Sequence, residues 1–355
     1  MNLKFHNKKI SGILTIVPEN EVKFEDEIDN YNFSRSQSMK LKLVMGYNKR
    51  KIVTKGTTCS DLCIFGMNYL FKNSFLKKDD IDALILVTQS PDHFMPPTSH
   101  VIHGKLNLKQ DMVCMDINQG CSGYIVGLNQ AFMLLEQEEI NKVVLLNADI
   151  LSTIVSKRDR NSNPIIGDGA SVTIVENDAS GKEIFSAIKV DGKGVEALMI
   201  PAGGFKMPST KETGELKEDQ SGNFRSLDHL KMKGDDVFNF VQREVPPMIE
   251  SLLLKSGLTK DDIDYYMFHQ PNRFMLTKLA DKIGVPHSKM PNNIVENFGN
   301  ASGVSIPTAI TFNLGKKLLK NRFLICMAGF GTGLNWASLV MPLEKLTFCE
   351  LINYK

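Results

Sequence analysis

Three stretches of this chain carry side chains that could do chemistry together. The first is Asp116-Ile117-Asn118-Gln119-Gly120-Cys121-Ser122-Gly123. Before it, Met112 to Met115 reads as the end of a buried strand. After it, Tyr124-Ile125-Val126-Gly127-Leu128, then Ala131, Phe132, Leu134 and Leu135, reads as a buried helix. Gly120 and Gly123 let the backbone turn sharply between the two. Cys121 then sits on a strand-to-helix corner, its sulfur at the first helical turn. Unpaired N–H groups there favour an anion, so the corner predicts a lowered thiol pKa and a nucleophile. A small residue buried at a tight corner is the alternative.

The second stretch, Phe268-His269-Gln270-Pro271-Asn272, follows a short apolar strand, the end at which α/β folds gather polar groups. A hydrogen-bonded loop histidine is the plainer reading of His269. The third is Asn300, between Gly299 and Ala301-Ser302, which could be only a helix N-cap. Gly329-Phe330-Gly331-Thr332-Gly333 closes another strand, and such a turn can aim backbone N–H groups at an oxyanion. Other pairings carry less. His100 and His103 share a helix face without a third ligand at matching spacing, so no metal site is expected. Cys59 and Cys63 are four apart on a helix and read as packing, and Gly167-Asp168-Gly169 reads as a tight turn.

The elements that must position these residues follow from periodicity. Strands are expected at Lys8 to Val17, Ala83 to Val87, Val143 to Asn147, Ala170 to Glu176, Tyr265 to Phe268, Phe323 to Ala328 and Trp336 to Met341. Helices are expected at Ser60 to Phe71 with a Thr57-Thr58 cap, Val101 to Leu106, Asp235 to Lys255, Arg273 to Ile283 and Ser305 to Leu319. Pro246-Pro247 should kink or split the third of these. Glu21 to Asn48 is polar and reads as a helix and a loop, and Pro201 to Asn223 as an exposed excursion.

The chain also repeats itself. Leu76-Lys77-Lys78-Asp79-Asp80-Ile81-Asp82 recurs as Leu258-Thr259-Lys260-Asp261-Asp262-Ile263-Asp264. The Cys121 corner recurs loosely at Asn297 to Gly303, and Val143 to Ala148 recurs at Phe323 to Ala328. All three recur in one order, at offsets of 179 to 182 residues. That pattern indicates a duplicated α/β unit, with halves at residues 1–178 and 179–355. Cys121 and Asn300 then occupy equivalent corners, and both can face one cleft.

Composition narrows the setting. The 355 residues suit two fused halves better than one simple core. A net charge of +2 gives no reason to expect nucleic acid or a membrane surface. No run of about 18 apolar residues is present, so no membrane span is expected. Met1 to Ile10 does not read as a secretory signal. Six cysteines without framework spacing suit reduced thiols in a cytoplasm.

In this order and on these corners, Cys121, His269 and Asn300 resemble the thiolase superfamily, and within it ketoacyl-[acyl carrier protein] synthase III. The resemblance rests on Gly120-Cys121-Ser122-Gly123, Ile166-Gly167-Asp168-Gly169-Ala170, His269-Gln270-Pro271-Asn272, Gly299-Asn300-Ala301-Ser302 and Gly329 to Trp336. It implies an α/β, thiolase-like, five-layered αβαβα fold, a homodimer and no metal or resident cofactor, coenzyme A or phosphopantetheine thioesters being substrates. It implies that Cys121 is acylated and that the N–H groups of Cys121 and Thr332 hold the oxyanion. His269 and Asn300 would stabilise the enolate left when a malonyl-type thioester loses CO₂. By the same resemblance Arg160 lies near a nucleotide phosphate, Asn272 and Met95 fall among substrate-binding positions, and Lys278 and Lys282 dock an acidic acyl carrier protein. The chain departs from the family at Thr332, where a glycine is usual. It also lacks the family's N-terminal Trp and Arg around adenine, since its one Trp is Trp336 and Val44 stands in the Arg position. Two other readings remain at this point. One is an acyltransferase of the same fold that moves the acyl group to an amine, hydroxyl or sugar. The other is a non-catalytic partner subunit.

Overall fold

Strands that are apolar on both faces need cover on both faces, and that requirement builds the molecule. The computed structural model describes residues 1–355. Its main strands are β1 (Asn2–His6), β2 (Lys8–Pro18), β3 (Ala83–Val87), β4 (Val113–Ile117), β5 (Lys142–Asp149), β6 (Gly169–Asn177), β7 (Glu183–Val190), β8 (Tyr265–Phe268), β9 (Arg322–Gly331), β10 (Asn335–Glu344) and β11 (Phe348–Tyr354). Its main helices are α1 (Arg35–Met45), α2 (Cys59–Lys72), α3 (Thr98–Leu106), α4 (Gly123–Leu134), α5 (Gly234–Ser256), α6 (Arg273–Ile283) and α7 (Ser305–Asn313).

The strands form a six-stranded sheet, β11-β2-β6-β5-β3-β4, and a five-stranded sheet, β1-β7-β10-β9-β8. Period-two alternation sorts their side chains. Ile85 and Val87 of β3, Val143 and Leu145 of β5, Met267 of β8 and Ile325 and Met327 of β9 all face a central core, which they share with Tyr124, Leu128 and Phe132 of α4 and Ile306 and Ile310 of α7. The intervening Leu84, Leu86, Val144 and Leu146 face outward onto Leu62, Met67 and Leu70 of α2 and Ile102 of α3. On the other sheet Tyr266, Phe268 and Cys326 face Val241, Val245 and Ile249 of α5 and Leu276 and Leu279 of α6. The order is therefore helix, sheet, helix, sheet, helix.

The two sheets share a pairing pattern. β3 runs parallel to β5, which runs antiparallel to β6; likewise β8 runs parallel to β9, which runs antiparallel to β10. Each sheet also takes an outer strand from the far end of the chain. β1 pairs with β7 in the five-stranded sheet, and β11 pairs with β2 in the six-stranded one.

Three segments differ from their expectations. The helix through Pro246-Pro247 is unbroken, because Val245, Pro246, Met248 and Ile249 are all buried against the five-stranded sheet and packing outweighs the lost backbone bonds. Ser305 to Leu319 is not one helix: α7 stops at Asn313 and a 3₁₀ turn runs from Gly315 to Leu319. Within Glu21 to Asn48, α1 starts at a capping box, in which Ser34 and Gln37 exchange bonds, and ends at Gly46 in the left-handed conformation.

One backbone approach fixes the relation between the halves. Gly167 N–H donates to Asn300 O (3.2 Å) and Asn300 N–H to Ile165 O (2.8 Å). A Cβ on Gly167 would lie 2.2 Å from the Phe298 carbonyl oxygen, and one on Gly299 would lie 2.8 Å from Gly167 Cα. Gly167→Ala therefore forces two backbones apart, and we expect a loss of about 1–3 kcal/mol in urea unfolding. An unchanged unfolding midpoint would show that this contact yields freely.

Candidate active site

The ends of α4 and α7 nearest the six-stranded sheet's C-terminal edge point at one another. Cys121 precedes α4 by two residues, and Asn300 precedes the turn that leads into α7. A Cβ on Gly303 would sit 2.9 Å from Gly120 O, so the two corners touch. His269 follows β8 directly, its backbone N–H bonded to Ala328 O (2.8 Å). The turn after β9 brings Gly331 so close that a Cβ there would lie 2.7 Å from Cys121 Sγ. Cys121, His269, Asn300 and Thr332 thereby line one cleft of about 1040 Å³, with Phe238 and Val241 of α5, Phe274 of α6 and Leu41 and Met45 of α1 among its walls.

The reactive groups are closely packed, and that sets their electrostatics. Burial pushes the Cys121 thiol up to about 11. The Ser302 hydroxyl and the N–H groups of Thr332 and Cys121 pull the other way, and the Asp149 charge adds to the rise. The lowered thiol pKa expected of the corner is thus overturned: the N–H donors are present, but desolvation outweighs them. His269 is buried, and burial lowers it to about 4, so the ring is neutral near pH 7. Its Nδ1 lies 2.8 Å from Ser305 Oγ and 3.2 Å from Ser302 O, and its edge meets Phe330. Asn300 Oδ1 accepts from Ser302 N–H (2.9 Å). That bond fixes which way the amide points and leaves the Asn300 NH₂ group as the donor available to a substrate.

Three residues that the sequence did not reveal complete the site. Ser302 touches all three of the expected groups: its hydroxyl reaches the thiol, its N–H the Asn300 amide and its carbonyl the His269 ring. Its φ of 54° lies in the left-handed region, which lets one residue serve all three. Ser305 stands behind His269. Asp149, at the end of β5, accepts from Gln89 N–H (2.8 Å), Ser90 Oγ (3.3 Å) and Thr88 Oγ1 (3.4 Å) through Oδ1, while Oδ2 has no partner. Burial pushes its carboxyl up to about 7.

The remaining expected residues separate. Arg160 lines the cleft and is held there by Ser221 O (2.6 Å) and Asn223 Oδ1 (3.3 Å), with Phe33 stacked 4.1 Å from its guanidinium. Asn272 also lines the cleft, but its Oδ1 caps α6 by accepting from Met275 N–H (2.8 Å). Met95 does not line it. It lies 77 % exposed on the loop before α3. Lys278 and Lys282 are exposed on α6, Lys278 lying over Phe274 of the cleft wall. His103 is bound to the Lys109 carbonyl (2.9 Å) and His100 is exposed. Asp168 is buried and turned inward to Val53 N–H and Ser152 N–H, away from any phosphate.

Chemically, the floor offers a shielded thiol, two backbone donors beside it, and two neutral side chains across from it. Residues 115–192 match the family model described as 3-oxoacyl-[acyl-carrier-protein (ACP)] synthase III, and residues 253–343 match that of its C-terminal part. A Campylobacter jejuni protein provisionally named 3-oxoacyl-[acyl-carrier-protein] synthase 3 is 33% identical over 100% of this chain and 99% of its own. The beta-ketoacyl-[acyl-carrier-protein] synthase III of Clostridium acetobutylicum is 30% identical over 95% of this chain and 99% of its own. The crystal structure of a 3-oxoacyl-(acyl-carrier protein) synthase from Burkholderia xenovorans superposes with a TM-score of 0.92 at 32% identity, covering 100% of this chain and 99% of that one.

The two shifted buried groups act oppositely on stability. For His269 the unfolded chain binds the proton first, so its contribution is complete above pH 6.5 and is lost as pH falls toward about 4. For Asp149 the folded state keeps a proton that the unfolded chain releases, so its contribution is complete below pH 3.8 and is lost as pH rises through about 7. Asp149→Asn removes only the second slope. We expect the variant to gain stability on going from about pH 4 to pH 6.5 more steeply than wild type, by on the order of 3 kcal/mol. Parallel curves in urea unfolding across this range would show Asp149 to be ionised in the fold.

Proposed function

Because this chain belongs to the 3-oxoacyl-[acyl-carrier-protein] synthase III family, we propose that its cleft runs both halves of that reaction on Cys121, His269 and Asn300. The enzyme is a condensing ketosynthase, joining an acyl thioester to a malonyl-type thioester with loss of CO₂. One observation carries the assignment of roles. The thiol, the neutral ring and an asparagine amide with its NH₂ left free converge on the floor of one cleft.

In the first half-reaction Cys121 Sγ attacks the thioester carbonyl. A thiol held near 11 does not ionise in advance, so its proton leaves as the C–S bond forms. The N–H groups of Cys121 and Thr332 receive the oxyanion, and expulsion of the thiol leaves acyl-Cys121. In the second half the malonyl carboxylate departs as CO₂ and negative charge moves to the thioester oxygen. Asn300 NH₂ and the His269 ring N–H donate to that oxygen, which stabilises charge only as it develops. The carbanion attacks the acyl-Cys121 carbonyl, the C–S bond breaks to release the β-ketoacyl thioester and the Cys121 thiolate, and a proton from solvent restores the thiol. Asn300 suits decarboxylation because it donates without adding negative charge beside an enolate.

Asn300→Ala should leave acylation of Cys121 nearly intact, followed by intact mass, and slow CO₂ release roughly 100- to 1000-fold. Equal losses in both half-reactions would assign Asn300 to the shape of the site instead of the enolate. Cys121→Ala serves as the reference without acyl mass.

The acyl donor in this reading is carried by acyl carrier protein. Trp336 is buried against Phe240, so the one Trp is not free to stack on adenine, and Phe33 lies on the Arg160 guanidinium. Lys278 and Lys282 offer an acidic partner two cations on one exposed face. Carrier-protein thioesters should therefore outperform the matching coenzyme A thioesters, and the margin should shrink as salt rises. Steady-state rates for one acyl group on carrier protein, coenzyme A and pantetheine test this. A coenzyme A thioester equal to carrier protein and far above pantetheine would rule it out.

The enzyme works as a cytoplasmic homodimer in this reading. The edge strand β4 leaves Val113, Met115 and Ile117 only half-buried, and Phe94, Met95 and Phe205 are strongly exposed, an apolar surface that a second copy would cover. No helix is long and apolar enough to cross a membrane.

A further inference from the structure

A neutral imidazole carries one ring proton, and only the nitrogen that carries it can donate. His269 Nδ1 is taken up by its neighbours, which leaves Nε2 to the cleft. For the neutral ring to donate to an enolate, the proton must therefore sit on Nε2. Two groups lie against Nδ1, and they ask for opposite tautomers. Ser302 O, 3.2 Å away, can only accept, so it favours a proton on Nδ1. Ser305 Oγ, 2.8 Å away, can donate, so it favours a bare Nδ1 and a proton on Nε2.

Ser305 has one hydroxyl proton and two claimants for it. His269 Nδ1 and Ser302 O each lie 2.8 Å from Ser305 Oγ. Gln270 N–H donates to the same oxygen (3.2 Å), which occupies a lone pair and pins the hydroxyl in place. Both Ser305 and His269 are buried, so water does not compete freely for these positions. Rotation of one O–H bond thus selects between a ring that donates into the cleft and a ring that offers it a lone pair.

We propose that Ser305 is the positioning residue that sets the His269 tautomer, donating to Nδ1 and so holding the ring proton on Nε2 when a substrate oxygen lies there. The proposal rests on the reading of His269 as a donor to the enolate. No net proton is gained or lost, since the ring stays neutral throughout. Burial of the ring removes the other route to a donor, an imidazolium with both nitrogens protonated. Without the Ser305 hydroxyl, Ser302 O alone holds the proton on Nδ1, and Nε2 meets the enolate oxygen lone pair to lone pair. The effect is confined to the second half-reaction, because acylation of Cys121 uses the backbone donors.

The test uses the full chain with Ser305→Ala and Ser305→Thr, the second keeping the hydroxyl. Acylation of Cys121 from an acyl-pantetheine thioester is followed by intact mass, and CO₂ release from a malonyl-pantetheine thioester is followed separately. We expect Ser305→Ala to acylate within a fewfold of wild type but to release CO₂ roughly 100-fold more slowly, the size of a lost oxyanion donor, and Ser305→Thr to recover most of it. ¹⁵N spectra of histidine-labelled protein, with the His269 signal assigned from His269→Gln, report the tautomer directly. Wild type holding a malonyl analogue with sulfonate in place of carboxylate should show Nε2–H, and Ser305→Ala should show Nδ1–H. Equal loss in both half-reactions, undiminished CO₂ release, or Nδ1–H in analogue-bound wild type each overturn the proposal. The spectrum of wild type decides even where Ser305→Ala does not fold. A wild type that acylates Cys121 but never releases CO₂ would instead overturn the reading of the cleft on which the proposal stands.

Discussion

Two helices buried along most of their length decide where everything else stands. α4 and α7 lie between the sheets, wrapped by side chains from both, and each must leave its sheet at a corner tight enough to enter that layer. Their N-terminal corners carry Cys121 and Asn300, and the contact between Gly303 and Gly120 holds them together. Nothing about the reactive groups themselves is unusual. Their closeness follows from sandwiching the helices, and the cleft is the place where that middle layer opens. The glycines at Gly299, Gly303 and Gly331 are small because neighbouring backbone, the Asn147 side chain or the reactive sulfur occupies the space a side chain would need.

The same close packing that holds this geometry pushes three ionisable groups beside the floor toward neutrality. Thiol, imidazole and carboxyl all move in the direction that removes charge. Donors are thus set in place before charge arrives, and charge exists only while bonds are being made or broken. A floor of preset neutral donors costs little to reorganise, which is where electrostatic stabilisation of a transition state is strongest. Ser302 is central to this arrangement. It ties thiol, ring and amide together through three different atoms, so the three groups keep their spacing as one unit.

Much of this could be read before the fold was seen. The strands were legible because β3, β5, β8 and β9 each hold a run of at least four apolar residues, and the repeat placed Asn300 opposite Cys121 without any knowledge of contacts. The parts that escaped depend on long-range packing. Whether Pro246-Pro247 breaks α5 is decided by the sheet beneath it. The thiol pKa was misjudged because a helix N-terminus is visible in sequence and desolvation is not. Ser305 carried no signal at all, since a serine at a helix start is ordinary; only its position behind a ring from another strand makes it matter. The capping box at Ser34 and Gln37 was there to be read, but a polar segment of short elements hid it.

The outer strands β1 and β11 lie in opposite sheets from their sequence neighbours, and this ties the repeat into a single object. The two halves resemble each other closely enough to suggest one duplicated unit, yet neither sheet is complete from its own half. Cutting the chain in the middle would leave one fragment holding a strand the other needs, with an open edge on both. Such a molecule must gain its cooperativity late, when both termini have been seated. On a ribosome, the six-stranded sheet therefore waits for β11 to emerge before that edge closes, and the enzyme cannot be half-built and already working.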